Sequence, residues 1–229
     1  MSRWTAALSR HRRVAVIVAV AVAIGIVIFL TIRAGTRSDD LVEATEASTT
    51  VPLSGPHAEL LRLFERGRRA TYSVTYRQVG PEGESTVRQA RRPPEERVET
   101  ASGSGDGIRR TTTVVTATGR IGCTQEGTGP WSCSPQPGRG SGALTDILSA
   151  SIVSQLGAFK VEERGEQVGG QDSRCFTLSG AQGTQAEMCL TTDGILARVT
   201  GGDTRLELTQ LDRAPPPDSA FRPPAPGGG

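Results

Sequence analysis

The sequence predicts an α+β protein, with an N-terminal transmembrane helix followed by one antiparallel-sheet domain that carries two helices. Three observations predict it. Val14 to Ile32 is an uncharged run of nineteen residues, and at about 1.5 Å of rise per residue such a helix covers roughly the 30 Å hydrocarbon core of a bilayer. Beyond residue 55, short stretches alternate apolar and polar side chains and are punctuated by Gly, Pro and Asp turns, the pattern of a meandering sheet. Two segments depart from that period of two and space their apolar residues as helices do.

The flanks of the apolar run set its direction. Arg3, Arg10, Arg12 and Arg13 precede it, while only Arg33 and Arg37 follow closely, soon joined by Asp39 and Asp40. The positive-inside bias makes 1–13 a cytoplasmic tail, 14–32 a transmembrane signal-anchor and 33–229 extracytoplasmic, in a single pass through a bacterial cytoplasmic membrane. A cleaved signal peptide is the rival. Its apolar region is usually shorter and ends in a small-x-small site, whereas Ile32-Arg33-Ala34 puts an arginine beside the cut. No cysteine lies near the end of the run, which excludes a lipobox.

Residues 33–54 form a polar linker with no apolar periodicity. Pro56 opens an amphipathic stretch in which Leu60, Leu61 and Phe64 share a face, a short helix ending near Gly67. Tyr72, Val74 and Tyr76 then occupy one side of a half-buried strand over 71–77. Turns at Gly80-Pro81-Glu82-Gly83, Pro93-Pro94 and 103–107 separate strands over 85–91, 97–100 and 108–116. A cysteine hairpin occupies roughly 120–134. Ala143–Leu156 places Leu144, Ile147, Leu148, Ile152 and Leu156 at helical spacing, and Gly157 stops it. The rest is a meander over 159–168, 173–179, 186–191, 195–200 and 204–211. The domain covers 55–213, and a Pro/Gly-rich tail, expected to be disordered, covers 214–229.

Four cysteines beyond the run fit a compartment that permits disulfides. Spacing allows three pairings, and the turns favour one. A hairpin centred on Gln182 sets Cys175 opposite Cys189, with Phe176, Leu178, Met188 and Leu190 on the other face. A turn centred on Thr128 sets Cys123 opposite Cys133. Zinc would need closer C-x2-4-C spacings than the C-x9-C and C-x13-C found here, and no redox C-x-x-C occurs. No metal or cofactor is expected.

Composition excludes other classes. The chain has twenty-five Arg, one Lys and no Asn, a bias typical of a GC-rich bacterial genome. The first 38 residues hold six arginines and no acid, leaving 20 basic against 24 acidic side chains beyond, a formal charge of −4. That balance offers no surplus cation for nucleic acid. Histidine appears only as His11 and His57, so the commonest acid–base and metal-ligand partner is missing from the exterior domain except as a lone surface residue. Neighbouring acids Glu95-Glu96 and Glu162-Glu163 read as solvated charge. The glycine-rich 138–142 stretch lacks the lysine and the βαβ setting of a phosphate loop. The chain is expected not to be an enzyme.

The opening helix running into Thr71–Arg77 and the C-terminal run of hairpins, from Lys160-Val161-Glu162 through Ser173-Arg174-Cys175-Phe176 and Glu187-Met188-Cys189-Leu190 to Leu206-Glu207-Leu208-Thr209, resemble the lipoprotein-carrier superfamily of LolA and LolB and its lipid-binding LppX/LprG-type members. The terminal Phe221-Arg222-Pro223-Pro224 resembles it too. The layout covers nearly all of 53–224. The resemblance implies a curved, incomplete barrel closed by helices over an apolar hollow that takes a lipid or lipoprotein acyl chain. The lining would be Tyr72, Val74, Tyr76, Ile147, Leu148, Ile152, Phe176, Leu178, Met188 and Leu190. Envelope-stress sensors share this fold, so the alternative is an envelope sensor or interaction domain that contacts another protein and has no ligand of its own. The chain departs from the lipid carriers in its anchor and in strands rich in Thr and Arg.

Overall fold

The computed structural model describes residues 54–104, 107–136, 156–180 and 185–225. The apolar run at 14–32 and its linker, and all of the helix expected at 143–156 except Leu156, lie outside them. The chain divides into two compact units, Met1–Leu53 and Ser54–Gly229, and every described residue belongs to the second. Among the described residues no helix is long and apolar enough to cross a membrane.

The expected helix is α1, Pro56–Arg69. Proline sits in its first turn, where no helical N–H is needed. Glu59 near its start and Arg66, Arg68 and Arg69 near its end complement the helix dipole. It buries Leu60, Leu63, Phe64 and Gly67. Gly67 does not stop the helix; the chain turns extended only at Ala70. The glycine is there for contact. A Cβ on Gly67 would lie 2.2 Å from the carbonyl oxygen of Gly194, and one on Gly194 would lie 2.0 Å from that of Leu63. Helix and turn backbones touch directly, and Arg66 donates to the Thr192 carbonyl in the same turn (2.8 Å).

Among the described residues eleven strands follow: β1 (Tyr72–Gly80), β2 (Gly83–Arg92), β3 (Glu95–Ser102), β4 (Arg109–Thr116), β5 (Gly119–Glu126), β6 (Ser132–Gln136), β7 (Lys160–Val168), β8 (Gln171–Ser179), β9 (Gln185–Thr191), β10 (Leu196–Gly201) and β11 (Thr204–Asp212). They form one curved, unclosed antiparallel sheet in the order β6-β5-β4-β3-β2-β1-β11-β10-β9-β8-β7. Two meanders, β1–β6 and β7–β11, are thus joined where the first strand pairs with the last. Several strands, β2 and β3 among them, run a few residues beyond the expected stretches, because ladder pairing continues up to each turn whatever the side-chain pattern.

Period two sorts the side chains as expected. Phe176 faces Met188, and Cys175 faces Cys189 on the opposite surface. Cys123 faces Cys133. Both pairs are disulfides. The inner face, covered by α1, carries the core: Tyr72, Val74, Tyr76, Phe176, Met188, Leu190, Leu206 and Leu208 are all buried.

Two bulges break the alternation. In β11, Gln210 pairs with Thr75 but Leu208 pairs with Tyr76, which leaves Thr209 unpaired. Its hydroxyl donates to the Thr75 carbonyl (3.0 Å). Leu206 and Leu208 therefore face inward while Gln210 and Asp212, of the same parity, face outward. In β10, Leu196 pairs with Leu190 and Arg198 with Cys189, so Ala197 is the extra residue and Arg198 turns outward.

Because the α1–turn contact is backbone on backbone, Gly67→Ala should destabilise the domain by about 2 to 3 kcal/mol. Denaturant unfolding followed by circular dichroism reads this directly.

Candidate binding surfaces

Of the ten side chains that the resemblance nominates as lining, Ile147, Leu148 and Ile152 lie outside the described residues. Tyr72, Val74, Tyr76, Phe176, Leu178, Met188 and Leu190 come together on the inner face, none more than 6% exposed. Leu60, Leu63 and Phe64 of α1 join the same buried set. The inner face also holds a polar cluster. Gln89 donates to Glu96 (2.7 Å) and Arg91 donates to it from the other side (3.2 Å), all three being buried. Glu96 thus differs from its expected role as solvated charge: strand pairing sets it opposite Arg91 on the inner face. A second Arg91 nitrogen donates to the Arg68 carbonyl at the end of α1 (2.9 Å). There the cation also meets the negative end of the helix dipole. The phenol of Tyr76 is pushed well up by burial, then by Tyr72 and Glu96, so it stays neutral. This cluster pins the helix to the sheet.

The outer face of the first meander carries a cleft of about 350 Å³. Ser73 and Thr75 form its floor, Arg88, Arg97 and Glu99 one wall, and Gln210 and Asp212 the other. The bulge at Thr209 is what delivers the last two. Arg97 pairs with Glu99 (2.8 Å) and donates to the Arg222 carbonyl (3.3 Å). Arg88 is exposed and has no ion pair or hydrogen bond among the described residues.

The rim is built by the C-terminal segment. Within the tail expected to be disordered, Asp218–Phe221 forms a short turn packed on the sheet. Phe221 is buried, with the Arg92 guanidinium 4.9 Å from its ring centre. Arg92 also pairs with Asp218 (2.8 Å) and with Glu95. One aromatic and one shared arginine dock a Pro-rich segment whose composition alone reads as free. The residues 226–229 lie outside the described ones.

The outer face of the second meander is closed. Cys175 and Cys189 are fully buried beneath an ionic cover. Arg198 pairs with Glu166 (2.8 Å) and Glu187 (2.7 Å), and Arg164 pairs with the same two carboxylates. Donor atoms of Glu166, Cys175, Glu187 and Cys189 lie within 4.8 Å of one another, a spacing that could suit a metal ion. Here the sulfurs are joined and both carboxylates are engaged by guanidinium groups. His57, the one histidine of this domain, donates to the Phe159 carbonyl (3.1 Å) and so ties α1 to the start of β7. Neither the cleft nor this cover was legible as a site in the sequence: each rests on a bulge that turns a residue to the other face.

No protein-family model and no curated protein matches the chain. Among solved structures, a crystal structure of MucB is similar, with a TM-score of 0.52 and 18% identity over 75% of this chain and 64% of that one. Two further structures have lower scores. They are MucB in complex with MucA(peri) (TM-score 0.44, 16% identity, 74% of this chain and 60% of that one) and the MucA/MucB complex of Pseudomonas aeruginosa (0.45, 15%, 74% and 62%). The chain spans less than two thirds of the length of these proteins. At this identity the likeness to MucB is one of fold.

The ionic cover has a pH signature. Hydrogen bonds from Arg198, then Arg164, hold the Glu166 carboxyl at about 2 instead of 4.5. A depressed folded value gives stability that is complete above the unfolded value and lost as pH falls from 4.5 towards 2. Glu166→Gln should therefore flatten the fall of the unfolding midpoint between those pH values, as read from melting curves of both proteins across the acid range.

Proposed function

We propose that this chain is a membrane-tethered, non-enzymatic extracytoplasmic domain of the lipoprotein-carrier type that recognises another envelope protein through its outer-face cleft. The observation that carries this reading is the contrast between the two faces. The inner face is buried, whereas the cleft is open, carries several polar side chains and holds an exposed guanidinium with no ion pair or hydrogen bond among the described residues. Arg88, beside the already paired Arg97 and Glu99, suits a polypeptide segment bearing an acidic side chain. A charge-assisted hydrogen bond to Arg88 contributes about 1.5 to 3 kcal/mol. The apolar run at 14–32 keeps the domain at the outer surface of the cytoplasmic membrane in this reading, so it receives or senses rather than shuttles.

Binding of a lipid or lipoprotein acyl chain is the second reading. The continuous apolar wall from Tyr72 and Tyr76 to Phe176 and Met188 favours it, on a sheet that curves without closing. An acyl chain could reach that wall only by displacing α1, whose backbone touches the turn at Gly194.

One experiment separates them. The full chain, carrying a photoreactive residue at Gln210, is irradiated in its native membrane and then purified for native mass spectrometry. The expected result is one discrete protein adduct and no bound lipid, with the adduct reduced about tenfold by Arg88→Glu, as loss of one charge-assisted hydrogen bond implies. A co-purifying lipid mass without a protein adduct overturns the interaction reading in favour of acyl-chain binding.

A further inference from the structure

The sheet does not close, so it has two edges, and they differ. β6 is five residues long, is stapled to β5 by Cys123–Cys133, and carries Pro135, which has no N–H to offer. β7 is nine residues long, and among the described residues no strand pairs with its outer edge. Lys160, Glu162, Arg164, Gly165 and Gln167 are exposed. A long exposed edge is a template for another strand, and proteins usually guard it with charges that repel. The charges on β7 are ordered differently.

Lys160, Glu162, Arg164 and Glu166 share the outer face of β7, and Val161, Glu163, Gly165 and Gln167 share the inner one. In an antiparallel pair related by a two-fold axis at Glu163, Lys160 of one copy faces Glu166 of the other, and Glu162 faces Arg164. Every outer-face position then meets its opposite charge, twice over by symmetry. Sliding two residues one way sets Glu162 on Glu162 and Lys160 on Arg164. Sliding two the other way sets Arg164 on Arg164 and Glu162 on Glu166. Like charges directly opposite are destabilising, so the order of charges selects one register among its neighbours.

The inner face accepts the same register. Val161 meets Gly165, where a Cβ would find nothing within 4 Å. Glu163 meets its own copy, but each is neutralised by Arg174 of its own chain (2.7 Å). The pairs that these groups make within one chain, Lys160 with Glu162 (2.6 Å) and Arg164 with Glu166 (2.9 Å), are exposed and contribute little alone. They can be shared across the edge at small cost.

We propose that two copies of this chain associate through β7, edge to edge and antiparallel, with Glu163 on the two-fold axis. The partner this surface fits is the chain itself, and the inference stands apart from the occupant of the cleft.

The test uses the full chain in detergent with single added cysteines. Directly opposed residues of an antiparallel pair place their Cβ atoms about 5 Å apart, so Glu163→Cys should give an interchain disulfide under mild oxidation. Gln167→Cys, which in this register faces residue 159, should not. Adding Glu162→Arg to Glu163→Cys sets arginine on arginine at two symmetry-related places and should cut the cross-linked fraction about tenfold. Glu162 and Glu163 both lie on the exposed edge strand, and a far-UV circular dichroism melt confirms that each variant is folded. Equal cross-linking at 163 and 167, cross-linking at 163 that ignores Glu162→Arg, or a monomer by light scattering with no cross-link at 163 overturns the proposal.

Discussion

The fold depends on the pairing of β1 with β11. Thr75 and Thr209 are 134 positions apart, yet a hydroxyl of one holds the carbonyl of the other. Closing a loop of that length costs about 4 kcal/mol in chain entropy before any contact is made. Burial of one Val or Leu side chain contributes roughly 1.5 to 3 kcal/mol, and this seam buries Tyr72, Val74, Tyr76, Leu206 and Leu208 together. Without it the chain would be two meanders, each with one apolar face and no common core. With it, one inner face is wide enough for α1 to cover, and α1 can lie close because Gly67 and Gly194 bring no side chains between them.

The same seam decides what the outer face presents. A regular β11 would have sent Leu206, Leu208, Gln210 and Asp212 all to one side, either exposing two leucines or burying two polar groups. The extra residue at Thr209 resolves the conflict, and its hydroxyl satisfies the carbonyl that the bulge would otherwise strand. Ala197 does the same in β10, freeing Arg198 to cover the Cys175–Cys189 disulfide while Leu196 stays in the core. Cleft and cover are therefore products of local irregularity imposed by a global requirement, that the strands keep their large apolar side chains on the buried inner face.

That origin explains what could be read in advance. Strand positions, their inner and outer faces and both cysteine pairings follow from period two and from turn centres, which are local and symmetrical about one residue. The bulge at Thr209 leaves only a slight local mark, a slip of phase from Leu206 and Leu208 to Leu211, which a single strand does not separate from an irregular end. Glu96 reads as a solvated acid beside Glu95 because nothing nearby shows that strand pairing sets it against Arg91. Gly67 reads as a helix stop because its real neighbour is 127 positions away in sequence, at Gly194. The docking of Phe221 beneath Arg92 cannot be read in advance because one aromatic in a proline-rich stretch carries no periodicity. Gly67 and Phe221 escape because their partners are distant in sequence, whereas Glu96 escapes across one short turn, since only strand register sets it against Arg91 five positions away.

An arginine-rich sheet surface raises the question of which guanidinium groups are structural and which are available. An ion pair already formed has offset the desolvation of both partners, so a ligand gains little by displacing one member. Arg198, Arg97 and Arg92 are all spent in this way, on the disulfide cover, on the cleft wall and on the C-terminal segment. Arg88 sits among them in the cleft with no ion pair or hydrogen bond to a described residue, its cross-strand neighbour Glu99 being engaged by Arg97. An incoming carboxylate would find there an attraction that the fold has not already used, with Ser73, Thr75 and Gln210 beside it to satisfy further polar atoms. On a surface where charge is otherwise paired, recognition belongs where the pairing stops.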